Sequence, residues 1–284
     1  MDDTTFMDRF RMGFVDTSSL SERELEIEIL KRLAEGATTR QVADDLGISP
    51  HVVKVHMERI PAKLGVGHVI RLAAVNVATP SLLADLRGEH VWSGIRKRPV
   101  DPTSMLWVSE LNISGDGQAD LSVHGGPDKA VYAYPSEHLV EWANELGQDL
   151  GDAPFGENLS TVGVLEQEVR IGDVWRWGSA LLQVTQPRWP CFKLSLYREQ
   201  AHIGARLRET ARTGWYLRVL GTGEVPAAGP IHVATQDPMG VSVHDAHLGM
   251  LDRSLMDPER LRALIDHPAL AEQWRAPLLR RFEH

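Results

Sequence analysis

The sequence predicts a multidomain α+β protein, with an all-α helix-turn-helix at the N-terminus, a central β-barrel and a C-terminal three-helix domain. Three observations predict it. Apolar residues recur at helical spacing through residues 21–78, and glycines close the short helices there. From residue 89 the texture changes to short β-rich runs divided by Gly and Pro. After residue 237 helical spacing returns, with Asp257-Pro258 and His267-Pro268 as helix starts. A chain of 284 residues has room for such a division.

Composition narrows the class. Hydrophobic residues at 43% and charged residues at 24% are ordinary for a soluble globular protein. No run of about 18 apolar residues exists, so no transmembrane helix and no membrane partner are expected. The opening "MDDTTFMDRF" lacks a basic region followed by an apolar core, so it is not a signal peptide. The single cysteine cannot form an internal disulfide, which fits a reducing cytoplasm. A formal net charge of -9 means that any nucleic-acid contact must come from a local patch.

The first helical segment spans residues 16–78. In "SERELEIEILKRLAEG", Ser21 is placed to cap a helix and Glu24 stands three residues on, at capping-box spacing. Leu25, Ile29 and Leu33 share a face, with Ile27 and Leu30 beside it, and Gly36 ends the helix. In "TRQVADDLG", Val42, Ala43 and Leu46 point inward and Gly47 closes the turn. Ser49 caps a third helix with Pro50 at its tolerated first position. That helix presents Lys54, His56, Arg59 and Lys63. A fourth helix is expected in "VIRLAAVNVA", apolar enough to pack or to form a homodimer.

The blocks "LSERELEIEILKRLAEGATTRQVADDLGIS" and "VKVHMERIPAKLGV" resemble the LuxR-type DNA-binding domain. The resemblance implies that the third helix enters the major groove and that Lys54 meets a phosphate. Two departures matter. Val52 stands where the family usually has Thr, which removes a hydroxyl, and Pro61 deletes a backbone hydrogen bond late in the helix. The segment carries as many acidic as basic residues, which weakens the salt-dependent part of any affinity. A trihelical module that serves only for docking is the alternative.

Residues 79–88 read as a linker, broken by Thr79-Pro80 and Gly88. Strand candidates follow in "MLWVSEL", "AVYAYP", "VRIGDVWRW", "ALLQVTQ", "WYLRVL" and "IHVAT", interrupted by helices near 136–147 and 202–213. Trp175 and Trp177 alternate on one strand and read as barrel packing. His244 and His247 stand at i and i+3 on a helix without further ligands and read as surface or packing residues.

Across residues 89–236 the blocks "SGIRKRPV", "GDGQADLSVHGGPDKAVYAYPSEHLVEW", "FGENLST", "IGDVWRWG" and "LLQVTQPRWPCFKL" resemble the MOSC domain, named for the C-terminal part of molybdenum cofactor sulfurases. They are most similar to its YiiM-like branch, the 6-N-hydroxylaminopurine resistance proteins. Residues 237–284 resemble the three-helix domain that often follows it. The resemblance implies a MOSC-type β-barrel that binds molybdenum cofactor (molybdopterin) and reduces N-hydroxylated compounds.

Read alone, Cys191 is most often an inert buried residue. The resemblance instead places it on the family's metal-binding cysteine. A thiolate is a suitable soft ligand for molybdenum. Pro187 and Pro190 would mount it rigidly, and Arg188 would favour its thiolate form. In "HGGPDKA", Gly125 and Gly126 would let backbone approach the cofactor, and Asp128 and Lys129 add charge. His124 would bond the pterin or donate a proton, unless this is only a turn. Glu157 and Asn158 in "FGENL" could read the pterin edge, or form a self-bonded turn. Lys97, Lys129 and Arg188 are the cations expected at the cofactor's phosphate, with Arg96 a weaker candidate.

These expectations describe an oxidoreductase acting on small N-hydroxylated substrates, independent of pyridoxal phosphate. The sequence encodes no cysteine set and no glycine-rich nucleotide loop, so a separate reductase would supply electrons, docked on the tail. Two alternatives stand beside it. One is a persulfide carrier on Cys191. The other is a transcription regulator whose barrel senses cofactor or ligand.

Overall fold

The computed structural model describes residues 21–34, 37–50, 52–53, 56, 69–119 and 125–282. The chain divides into two compact units, Met1–His68 and Val69–His284. In the first, helix α1 (Glu22–Ala34) begins at Ser21, whose N–H donates to Glu24 Oε2 at 2.8 Å. Helix α2 (Thr39–Leu46) carries a second capping box, between Thr38 and Gln41, and ends on Gly47 with φ 63°. Ile29, Val42, Ala43, Leu46 and Val53 form its core, while Ile27 is exposed. Ser49 Oγ accepts from Val52 N–H at 3.2 Å, as a cap should.

The second unit opens with a correction. "VIRLAAVNV" is not a fourth helix but strand β1 (Val69–Val77), so it presents no helical dimer face. Its β-branched residues suit a pleated surface. Ile70 is buried while Val69 and Arg71 are exposed, the alternation of a strand, until a register shift between Leu72 and Ala74. A ten-residue apolar run cannot be told from a helix by periodicity alone. The boundary therefore falls at residue 68, and 79–88 is no linker: it holds the whole of strand β2 (Ser81–Leu86), which pairs with β3 (Glu89–Ser93).

Strands β4 (Arg98–Pro99) and β5 (Met105–Val108) follow, then β6 (Val131–Pro135), helix α3 (Leu139–Leu146), β7 (Leu159–Val162), β8 (Val174–Trp177) and β9 (Ala180–Pro187). Helices α4 (Phe192–Arg198) and α5 (Ile203–Thr210) precede β10 (Trp215–Gly221), β11 (Gly223–Pro226) and β12 (Gly229–Thr235). Of these helices, α4 is the one the sequence did not announce. Strand β12 pairs with both β8 and β1, which closes the ring β1-β12-β8-β9-β10-β6-β7 into a seven-stranded barrel. All of its pairings are antiparallel except β6 with β7, where Ala133 faces Leu159. Closure removes the unpaired edges that an open sheet would present.

Trp175, Trp177 and Trp215 fill the barrel core, with Trp175 meeting Trp215 edge-on. The same core includes Leu261, Leu264, Trp274 and Leu278 from helices α6 (Val243–Leu251), α7 (Pro258–Asp266) and α8 (Glu272–Phe282). The tail is thus part of the barrel's own unit. Asp257 caps α7 as expected, but α8 starts at Glu272 rather than at Pro268. The intervening turn is held by His267 Nδ1, which accepts from Ala269 N–H at 3.0 Å. His247 is fully buried and His244 half-buried. A second core, built on Tyr134, Trp142, Phe155 and Leu194, seats α3, α4 and α5. Among the described residues no helix is long and apolar enough to cross a membrane.

Candidate active site

Beyond the end of β9, Arg188 N–H donates to Gly214 O at 3.1 Å, which pins the chain to the start of β10. Pro190 follows, and Cys191 sits half-buried immediately before α4. Its free thiol lines a cleft walled by the 93–97 and 116–119 segments, by Lys129, Tyr132 and Tyr216, and by 155–158. Lys193 lines it as well. At Gly94 an added Cβ would come 2.3 Å from Gly117 O, so only glycine lets these two wall segments meet. Gly156 is similar: φ is 76° and a Cβ would press on Ile95 at 2.6 Å.

Arg188 is, with Lys97, a buried cation of the site. Its guanidinium lies 5.2 Å from the Tyr132 ring centre. Burial opposes its charge, but Tyr132, Tyr216 and Cys191 together hold its pKa above the ordinary value. Its Nη1 has no hydrogen-bond partner among the described residues. Burial raises the pKa of both Tyr132 and Tyr216, more strongly than Arg188 lowers it. Lys129 stands 5.8 Å from the Tyr216 ring centre, and burial lowers its pKa against the pull of Cys191 and Asp128.

One wall is a polar network. Lys97 Nζ pairs with Asp116 Oδ1 inside the protein. Asp116 also accepts from Ala78 N–H at 3.0 Å and from Asn158 Nδ2 at 2.9 Å. The same Nδ2 reaches Asn76 O at 3.2 Å, and Asn158 Oδ1 accepts from Tyr132 N–H at 3.1 Å. Asn158 thus lines the cleft with both ends of its amide engaged in joining β1, β6 and the 155–158 loop. Burial of Lys97 lowers its pKa, while Asp116 and Glu157 oppose that shift.

Glu157 lies behind this wall. Its carboxylate accepts from Phe155 N–H at 3.0 Å and from Ser160 Oγ at 3.3 Å. Burial lifts its pKa from 4.5 to about 7, against those bonds and the charge of Arg188. A folded-state pKa above the unfolded one favours the fold below pH 4.5, an advantage lost as pH rises to about 7. Glu157→Gln removes that titration. The variant should therefore gain on wild type across this window by about 3 kcal/mol, and by no more above it. Urea unfolding at several pH values measures this, and a difference independent of pH would refute it.

The other expected residues divide. Lys97, Lys129, Asn158, Arg188 and Cys191 come together in the cleft. Gly125 and Gly126 precede the short turn that carries Lys129 and do not line it. Asp128 pairs with Arg218 at 2.8 Å, and Arg96 donates to Leu82 O at 2.9 Å in the β2–β3 hairpin. His124 lies outside the described residues, as do Lys54, Arg59, Lys63 and Pro61, whereas His56 is half-buried. Sequence reasoning passed over Asp116, Tyr132, Trp189, Lys193 and Tyr216. Trp189 and Lys193 flank Cys191 in the chain, which was the available signal.

The family model "MOSC domain" matches residues 120–237, and "Bacterial regulatory proteins, luxR family" matches 18–75. Protein YiiM of Escherichia coli (strain K12) is 38% identical over 210 residues, covering 73% of this chain and 91% of YiiM. A Gibberella moniliformis protein named "Reductase" is 37% identical over 142 residues, 49% of this chain and 25% of that one. The crystal structure of YiiM from Geobacillus stearothermophilus superposes with a TM-score of 0.63 at 28% identity. It covers 75% of this chain and 99% of that chain.

Proposed function

We propose, from the premise that this chain belongs to the MOSC family and groups with its YiiM-like members, that the cleft binds molybdenum cofactor and that the protein reduces small N-hydroxylated compounds, purines among them. The observation that carries the reading is the meeting of Cys191 with Arg188, Lys129 and Lys193 in one cleft. A thiolate is a soft donor of the kind molybdenum takes. Arg188 Nη1, without a hydrogen-bond partner among the described residues, invites an anion, since a buried donor without a partner is costly. Lys129 and Lys193 extend the positive charge toward a phosphate. The residues present therefore fit the group. The relative named "Reductase" supports the reaction class.

When bound, the cofactor would supply the two-electron removal of an N-hydroxyl oxygen, giving amine and water. The chain binds, orients and supplies protons. Tyr132 and Tyr216 keep their protons on Oη through neutral pH, because burial raises both. Lys129 Nζ releases its proton more readily than an exposed lysine, because it is desolvated. His124, outside the described residues, remains the proposed proton donor. A separate reductase delivers the electrons. Protein from a host that makes the cofactor should convert 6-N-hydroxylaminopurine to adenine at the expense of two electrons from a reduced viologen dye. Dye consumption without adenine would contradict the reading.

The match of residues 18–75 to the LuxR family favours a second activity, DNA binding through the third helix. Lys54, His56, Arg59 and Lys63 would make the contacts. Lys54→Ala in the full chain should weaken binding to genomic fragments and reduce the salt dependence by about one phosphate contact. Unchanged affinity and salt slope would count against this docking.

A further inference from the structure

We propose that Trp189 is the stacking platform on which a flat heteroaromatic substrate lies at the mouth of the cleft. The proposal deepens the reductase reading and rests on it for the identity of the site. Trp142, Trp175, Trp177 and Trp215 are fully buried, and Trp92 and Trp107, both exposed, do not line the cleft. Trp189 alone among the described tryptophans both lines the cleft and is 37% exposed. Three side chains pack against its ring. The Arg208 guanidinium lies 5.9 Å from its centre, the His247 ring 5.5 Å, and Trp274 meets it edge-on at 5.9 Å. These three come from α5, α6 and α8. His247 and Trp274 are buried, and His247 Nε2 lies 2.7 Å from Arg208 O, so the backing is itself held in place.

The other aromatic rings of the cleft are less accessible. Tyr132 and Phe155 are buried and Tyr216 is half-buried. Trp189 is the exposed aromatic residue of the cleft, two residues before Cys191. A rigid, partly wet indole gives a large contact area at low entropic cost, and it stacks on any planar base without reading its edges. The platform thus selects for ring shape, while the metal-binding end of the cleft acts on the N-hydroxyl group.

The full chain, loaded with cofactor, is compared as wild type, Trp189→Ala, Trp189→Leu and Trp189→Phe. Calorimetry with adenine, which is not turned over, reads binding alone. Removing the aromatic face (Ala or Leu) should weaken adenine about tenfold, and Phe should restore most of it. The ratio of kcat/KM for 6-N-hydroxylaminopurine to that for hydroxylamine should fall by a similar factor in Ala and Leu. Adenine affinity and substrate ratio both within twofold of wild type would overturn the platform, and so would wild type that does not bind adenine. Adenine binding that depends on Trp189 in a protein that reduces neither compound would sustain the platform while removing the reductase reading.

Discussion

Asp116→Ala is expected to destabilise the barrel unit by about 3–5 kcal/mol, the cost of leaving a buried charge without its partner. Lys97 is almost fully buried, and its ammonium pairs with Asp116. The carboxylate also satisfies Ala78 N–H and Asn158 Nδ2, so the substitution takes a partner from three donors at once. Two of these anchor the segment that follows β1 and the 155–158 loop, and that loop lines the cleft. The sign of the pH dependence follows from Lys97. Burial already lowers its pKa, and Asp116 is what opposes that shift. Without Asp116 the folded-state pKa drops further, so the variant's deficit should narrow as pH rises toward the unfolded lysine value of 10.5. Lys97→Met combined with Asp116→Leu should recover part of the loss, because replacing both members of a buried pair costs less than removing one. Urea midpoints of wild type and the two variants check this, and a double variant worse than Asp116→Ala would contradict it.

Cys191→Ser is expected to abolish reduction of N-hydroxylated substrates while leaving the fold intact. The thiol makes no hydrogen bond that caps α4 and belongs to none of the hydrophobic cores, so its replacement by a hydroxyl disturbs little packing. Its chemical consequence is large. A hydroxyl is a hard donor and a poor substitute for a thiolate on molybdenum. Loss of an outer partner of a metal ligand already costs on the order of 10–100-fold, so loss of the ligand should cost roughly a hundredfold or more in kcat/KM. Activity within tenfold of wild type, with an unchanged thermal midpoint, would remove Cys191 from the reaction.

Local chemistry explains what was legible in the sequence. The boxes Ser21–Glu24 and Asp257–Pro258 act within one helical turn, so a short window contains the whole signal. Strands such as Ala180–Pro187 alternate inward and outward faces for most of their length. Val69–Val77 was misread because its identity as a strand is decided by partners at 159–162 and 229–232, far along the chain. The site divides in the same way. Cys191 and Arg188 were visible in one ten-residue stretch. Asp116 was not, because its role depends on Lys97, Ala78 and Asn158 converging from three other segments. Tyr132 and Tyr216 looked like ordinary strand residues until β6 and β10 paired and brought the two rings together beside Arg188. Asn158 was legible as a site residue, but its engagement in the wall was not.

Cys191 is proposed to hold a molybdenum cofactor in this cleft. The direct measurement is molybdenum and pterin content per chain for wild type and Cys191→Ser, both purified from a host that makes the cofactor. Wild type should approach one of each, and the variant should be largely depleted of molybdenum. Wild type without molybdenum but carrying sulfane sulfur on Cys191, or a variant that retains its full metal, would contradict it.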